Sequence, residues 1–159
     1  MHRLVLVLVL ALGVTTAEAQ SPVDLENEKV ELLRLHRLDR EAHFKTDVDL
    51  LQERSPDEFL SVSRGKIYRS TKAEERKHFS EYFKGAKYEE WDDVEDPIVR
   101  ISQDGTMAWM ITRVRVRRTQ ETASSVEEEK FVYAGIMTYE KVQGRWMRVA
   151  NVSTFDAAE

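Results

Sequence analysis

Cysteine is absent from all 159 residues, which excludes disulfides, thiol nucleophiles, cysteine zinc sites and lipid attachment to cysteine. Stability must come from an apolar core instead. A basic surplus is missing too: the formal net charge is -5, so the chain gains nothing from counterion release on a polyphosphate, and a nucleic-acid partner is not expected. Long apolar runs are limited to Leu4 to Leu12, which is too short to span a bilayer. Internal repeats and low-complexity linkers are lacking as well. A chain of this length reads as one domain.

The one apolar run follows His2 and Arg3 and leads into small residues ending Ala17-Glu18-Ala19. That layout is the one of a secretory signal peptide, with cleavage expected after Ala19. Residues 1–19 are then a leader and 20–159 the mature domain, extracytoplasmic (periplasmic or secreted) and free of the membrane after cleavage. Losing Arg3 and Glu18 removes one charge of each sign, so the balance stays at -5.

The stretch from Leu25 to Gln52 has helical periodicity. Asn27, Arg34, Leu38, Glu41, Lys45, Asp49 and Gln52 collect on a water-facing side. Leu32, Leu35, Ala42 and Leu50 form one apolar flank and Val30, Leu33, Phe44, Val48 and Leu51 the other, the wide arc of a helix lying on a sheet. His36, Arg40, His43 and Asp47 run down the middle of that arc. Titratable groups there need partners or a wet cavity, so the helix is expected to roof a pocket. Ser21-Pro22 is the expected helix start. Thr46 and Asp49 have capping-box spacing, which predicts a break and a short second helix; if the register is lost there, so is a His43–Asp47 pairing.

Further on, Glu58 to Val62 and Lys66 to Tyr68 read as a hairpin across Ser63-Arg64-Gly65, and Ser70-Thr71 starts a helix through Phe83 with Phe79, Tyr82 and Phe83 on its buried side. The period then changes to that of strands. Tyr88 to Val94, Ile98 to Ser102, Thr106 to Thr119, Glu129 to Val142 and Arg145 to Phe155 follow, with turns at Asp104-Gly105 and Gln143-Gly144 and a polar loop from Gln120 to Glu128. Connections this short make the three long strands antiparallel neighbours. The fold class is α+β, with a long N-terminal helix and two further helices on one face of a curved antiparallel sheet.

His43 and Asp47, one turn apart, are the candidate catalytic pair: a carboxylate on one ring nitrogen fixes the tautomer and leaves the other as general base or acid. Tyr133 and Trp109 offer O–H and N–H donors for a developing oxyanion. The plainer reading is a hydrogen-bonded pair that ties helix to sheet. A metal set of His36, His43 and Asp47 fails on spacing, because seven helical residues rise about 10 Å. No metal and no cofactor is expected. Alternation puts Trp91 and Asp93 on one strand face and Asp92 on the other, so that Asp93 either enters the pocket with Trp91, His36 and Arg40, where it could pair with the Asp47 carboxylate, or stays on a solvated strand edge, the plainer reading. Arg113, Arg115 and Arg117 form a basic row, extended by Arg148, that either receives an anion or pairs across strands with acids such as Glu127, Glu128 and Glu129. Asn151-Val152-Ser153 reads as strand.

The element order and the segments HRLDREAHFKTDVDLL (36–51), EFLSVSRGKI (58–67), HFSEYFKG (78–85), EEWDDVEDPIVRISQDGTMA (89–108) and YEKVQGRWMRVANVSTF (139–155) resemble the NTF2-like superfamily, in particular its SnoaL-like and DUF4440-like exported members. The resemblance implies an NTF2-like (cystatin-like) cone, a curled sheet around the long helix with a pocket at the open end. It implies an unidentified small-molecule ligand, with isomerase, cyclase or dehydratase chemistry among the options. The isomerase Tyr and Asp pattern has no residue-by-residue match in this chain. The alternative is a non-catalytic interaction module, a homodimer through the outer sheet face.

Overall fold

The computed structural model describes residues 24–157. The expected leader, its cleavage site and Ser21-Pro22 lie outside them. The first helix, α1 (Leu25–Lys45), opens at Asp24, whose carboxylate accepts the Asn27 backbone N–H at 3.2 Å, with Glu26 and Glu28 in the dipole-favoured first turn. Asp24, not Ser21, is therefore the N-cap. Thr46 ends α1 in the left-handed region at φ 50°, and Asp47 restarts the chain as N-cap of α2 (Val48–Leu51) by accepting the Leu50 N–H at 2.9 Å. The break falls where the sequence predicts it, one residue away from the expected cap.

A hairpin of β1 (Glu58–Ser63) and β2 (Lys66–Thr71) turns at Arg64-Gly65, both at positive φ, the turn whose twist matches that of paired strands. Thr71 and Glu74 form a capping box that starts α3 (Lys72–Phe83). Five strands follow: β3 (Ala86–Asp93), β4 (Ile98–Ile101), β5 (Met107–Glu121), β6 (Val126–Val142) and β7 (Arg145–Ala157). The sheet order is β2-β1-β7-β6-β5-β3, with β4 also pairing β5. The three long strands are antiparallel neighbours as expected. Chain order alone did not predict that β1 lies parallel to β7. The sheet is curved and unclosed, and the long helix lies against it. The loop expected at 120–128 is shorter, since Glu121 already pairs with Val126.

Packing divides into two apolar clusters along α1. Leu32 and Leu35 meet Val99, Ala108, Met110, Tyr139 and Trp146; Ala42 meets Leu51, Phe83, Tyr88, Trp91, Val114 and Val116. Burying such side chains contributes roughly 1.5–3 kcal/mol each. Trp146 also ties the helix start to the sheet by donating from Nε1 to Glu28 at 2.7 Å. The apolar arc is narrower than expected, because Val30 and Phe44 are exposed, while Leu38, placed toward water by periodicity, packs against the first cluster.

Two bulges set which side chains face inward. On β7, Thr138 pairs with Ala150 but Tyr139 with Arg148, so Val149 is the extra residue. Arg148 precedes it and Asn151 follows it, and both reach the inner side. On β3, Glu89 is extra, which keeps Tyr88 and Trp91 both buried.

The outer face carries two features. Arg113, Arg115 and Arg117 pair there with Glu95, Glu90 and Glu89 at 3.9, 3.6 and 3.0 Å, the cross-strand outcome, with acids of β3 and its following loop in place of Glu127 to Glu129. Next to them, Ile67, Val62, Val152, Ile136, Ile111 and Ile98 stand directly opposite one another across six strands. This β-branched row faces outward, and four of its members are exposed.

Candidate functional site

A cavity of about 720 Å³ opens between α1, α3 and the concave face of β1, β5, β6 and β7. Members of both apolar clusters line it. One stripe of α1 delivers His36, Asp39 and His43, spaced i, i+3 and i+7 on a single helical face.

His43 is held firmly. Its Nδ1 donates to the Asp39 backbone carbonyl at 2.7 Å, and its ring lies 5.0 Å from Trp91 and edge-on to Phe83 and Tyr88. A donating Nδ1 leaves Nε2 as the unprotonated nitrogen, and among the described residues Nε2 has no hydrogen-bond partner. Burial pushes the pKa of His43 below its ordinary 6.5, the Asp39 carbonyl and carboxylate oppose that, and Arg148 and Arg118 lower it further. His43 is a neutral base at neutral pH.

The expected pairing of His43 with Asp47 is not made. The left-handed Thr46 turns the chain, and the Asp47 carboxylate is spent on capping α2. In its place the Asp39 carboxylate sits one turn before His43 and accepts Arg148 Nη1 at 2.7 Å, both side chains largely buried. Arg148 thus does not extend the outer basic row; it points inward from the opposite sheet face. His36, 7% exposed, bonds Asp93 through Nε2 at 2.8 Å, and its ring lies tilted at 5.4 Å from that of Trp91; Trp91 lines the cavity, whereas Asp93 stays on the exposed edge of β3, outside the lining.

Two other expected site residues lie elsewhere. Arg40 reaches over the edge of β3 to the Trp91 carbonyl and the Asp92 carboxylate, with its side chain half exposed. It stays outside the cavity because it is one helical position past the stripe that Asp39 occupies. Trp109 alternates outward with Ile111 and Arg113, away from inward-facing Ala108 and Met110.

Tyr133 lines the cavity from β6. Its hydroxyl folds over Gly135, where a Cβ would come within 2.4 Å of the phenol oxygen and 2.7 Å of the Val152 carbonyl; only glycine leaves that space. Burial raises its pKa, which keeps the phenol protonated as a donor. Tyr139 is held above its ordinary value for the same reason. Asn151 completes the polar end, and its Oδ1 is buried without a hydrogen-bond partner. The sequence reading missed Asp39, Arg148, Tyr139 and Asn151. The signal for Asp39 was present, since it lies three residues after His36 and four before His43; the inward turn of Asn151 depends on the bulge at Val149.

Among the described residues no group of three or more His, Asp or Glu side chains is placed to hold a metal ion. The arrangement can instead do acid–base work: a neutral imidazole and protonated phenols share one partly apolar cavity.

No protein-family model matches the chain, and no curated protein sequence does. Solved structures do. A candidate dehydratase of the NTF2-like family from Streptomyces avermitilis is similar at TM-score 0.68 and 10% identity, over 84% of this chain and 99% of that one. An NTF2-like protein from Cytophaga hutchinsonii matches at TM-score 0.59 and 18% identity, over 82% and 98%. A candidate calcium/calmodulin-dependent kinase II association domain from Exiguobacterium sibiricum matches at TM-score 0.62 and 10% identity, over 89% and 100%. At these identities the likeness shows the fold, which is NTF2-like, and the narrower SnoaL-like and DUF4440-like labels have no family match to rest on.

Proposed function

We propose that this chain is an exported small-molecule-binding protein of SnoaL-like type, whose cavity performs acid–base chemistry of the isomerase, cyclase or dehydratase kind. The observation that carries the reading is His43, a neutral imidazole whose Nε2 has no partner among the described residues, in a cavity of about 720 Å³, a size within the range of ligand sites. In this reading Nε2 takes a proton from carbon next to a carbonyl or from a hydroxyl. Tyr133 donates to the oxygen on which charge develops. The dehydratase name of one structural neighbour is compatible with such a step. The test is a thermal-shift screen of the mature protein, residues 20–159, against a metabolite panel, with conversion of each hit followed by mass spectrometry, both repeated on His43→Gln. Ligands whose turnover is lost in the variant while binding persists support the base; turnover unchanged by the substitution overturns it.

A second reading is supported by the outer Ile/Val row, which is broader than scattered exposed apolar residues. It fits a homodimer through the outer sheet face, with or without chemistry inside, and one neighbour is named as an association domain. Solution mass decides: a dimer that Ile136→Lys converts to monomer supports it, and a monomeric parent protein removes it.

A further inference from the structure

Every charge at the inner end of the cavity is matched inside the protein. Asp39 and Arg148 hold each other at 2.7 Å with side chains 20% and 10% exposed. The neighbouring Asp93, outside the lining, is engaged by His36, and at the rim Glu75 bonds Ser70 while Glu74 is committed to the α3 capping box. Arg64 is a rim cation without an ion-pair partner among the described residues, but it stands exposed in a turn, where solvent screens it. What remains unmatched among the described residues is the buried Asn151 Oδ1, which lacks a donor; the protonated Tyr133 hydroxyl beside it has the Asn151 side chain as a hydrogen-bonding neighbour and keeps its own proton to donate. A buried acceptor of that kind calls for an O–H or N–H.

On the reading of the cavity as a ligand site, we infer that its ligand is an uncharged, largely apolar compound bearing a hydroxyl beside or in place of a carbonyl, and that the Asp39–Arg148 pair excludes anions. A ligand hydroxyl donates to Asn151 Oδ1, and a ligand oxygen accepts from Tyr133. A carboxylate entering the same end has two options, both costly. It lies beside the Asp39 carboxylate and is repelled, or it takes Arg148 and leaves Asp39 buried without its cation. The aromatic and aliphatic walls, among them Phe59, Phe79, Phe131 and Phe155, supply the apolar contact.

Three fluorescent probes on one frame test this: pyrenemethanol, pyrenecarboxylate and pyrenemethylammonium. The unaltered mature protein should bind the alcohol at least about tenfold more tightly than either ion. Asp39→Asn frees Arg148 and should bring the carboxylate to equal or better affinity than the alcohol. It leaves His43 in place, because the ring bonds the Asp39 backbone carbonyl. Arg148→Met should shift preference toward the ammonium, and Asp39→Asn/Arg148→Met should return it to the alcohol. Equal binding of alcohol and carboxylate by the unaltered protein overturns the inference while the cavity stands as a ligand site, and so does an unchanged order in both single variants. The order in the unaltered protein needs no variant to fold. Failure of all three probes to bind removes the ligand-site reading itself and the inference with it.

Discussion

Arginines occupy both faces of the long-stranded sheet, and they do different things there. Arg113, Arg115 and Arg117 lie on the outer face, about half exposed, each near a glutamate at 3.0–3.9 Å. Arg148 lies on the inner face, 10% exposed, with one carboxylate at 2.7 Å. Exposed pairs of the first kind contribute roughly 0–1 kcal/mol, because water already solvates both ions. The second kind is a matched pair whose members cannot be separated cheaply, since either alone is a charge in a poorly solvated site. A row of like residues in a sequence therefore says little about role until the sheet assigns each one a face.

The contrast can be broken by substitution. Arg148→Met is expected to cost about 3–5 kcal/mol by stranding Asp39, whereas Arg115→Met is expected to cost less than about 1 kcal/mol; urea unfolding of the two variants measures both. Equal losses would erase the distinction between the faces. Gly135→Ala probes the inner face without touching charge. Its Cβ would meet the Tyr133 hydroxyl and the Val152 carbonyl at 2.4 and 2.7 Å, so overpacking should cost about 1–3 kcal/mol, with the fluorescence of Tyr133 and its neighbours altered. Gly144→Ala offers a control, since nothing lies within 4 Å of its added Cβ and only the positive φ opposes it.

A smaller effect concerns pH. Burial lowers the folded-state pKa of His43 below its ordinary 6.5, so the unfolded chain binds the proton more readily at this position. The neutral ring's contribution is then complete above that ordinary value and is lost as pH falls through it toward the folded-state pKa. Stability of the unaltered protein should drop more steeply on acidification than that of His43→Gln, compared by thermal unfolding across the range from about pH 7.5 to about pH 5. Parallel curves would mean that the ring is solvated in the folded state.

Much of the fold was legible in the sequence because its signals are local. The turns at Arg64-Gly65 and Gln143-Gly144, the alternation of β5 and the start of α3 at Thr71 each depend on residues within a few positions of one another. The parallel pairing of β1 with β7 joins segments about 90 residues apart, and nothing in either strand announces it. The site was legible in part for the same reason. Helical spacing brought His36 and His43 to the cavity, and strand alternation brought Trp91, while Asp93 stayed on the exposed edge of β3. It misassigned Asp47, because Thr46 takes a left-handed conformation that ends the helix one turn earlier than an unbroken register requires. Arg40 was misplaced by a single position, the width of the gap between the stripe facing the cavity and the one reaching over β3. Arg148 and Asn151 could not have been assigned to one face by alternation, since they are an odd number of residues apart and only the bulge at Val149 reconciles them.

The state of one ring, that of His43, decides whether the cavity holds a base. Nitrogen-detected NMR of the His43 imidazole at neutral pH, assigned against His43→Gln, reads tautomer and charge together. The arrangement predicts a neutral ring protonated on Nδ1, with Nε2 bare and its chemical shift moving when a cavity ligand is added. A cationic ring at neutral pH, or a proton on Nε2 with Nδ1 bare, would contradict it.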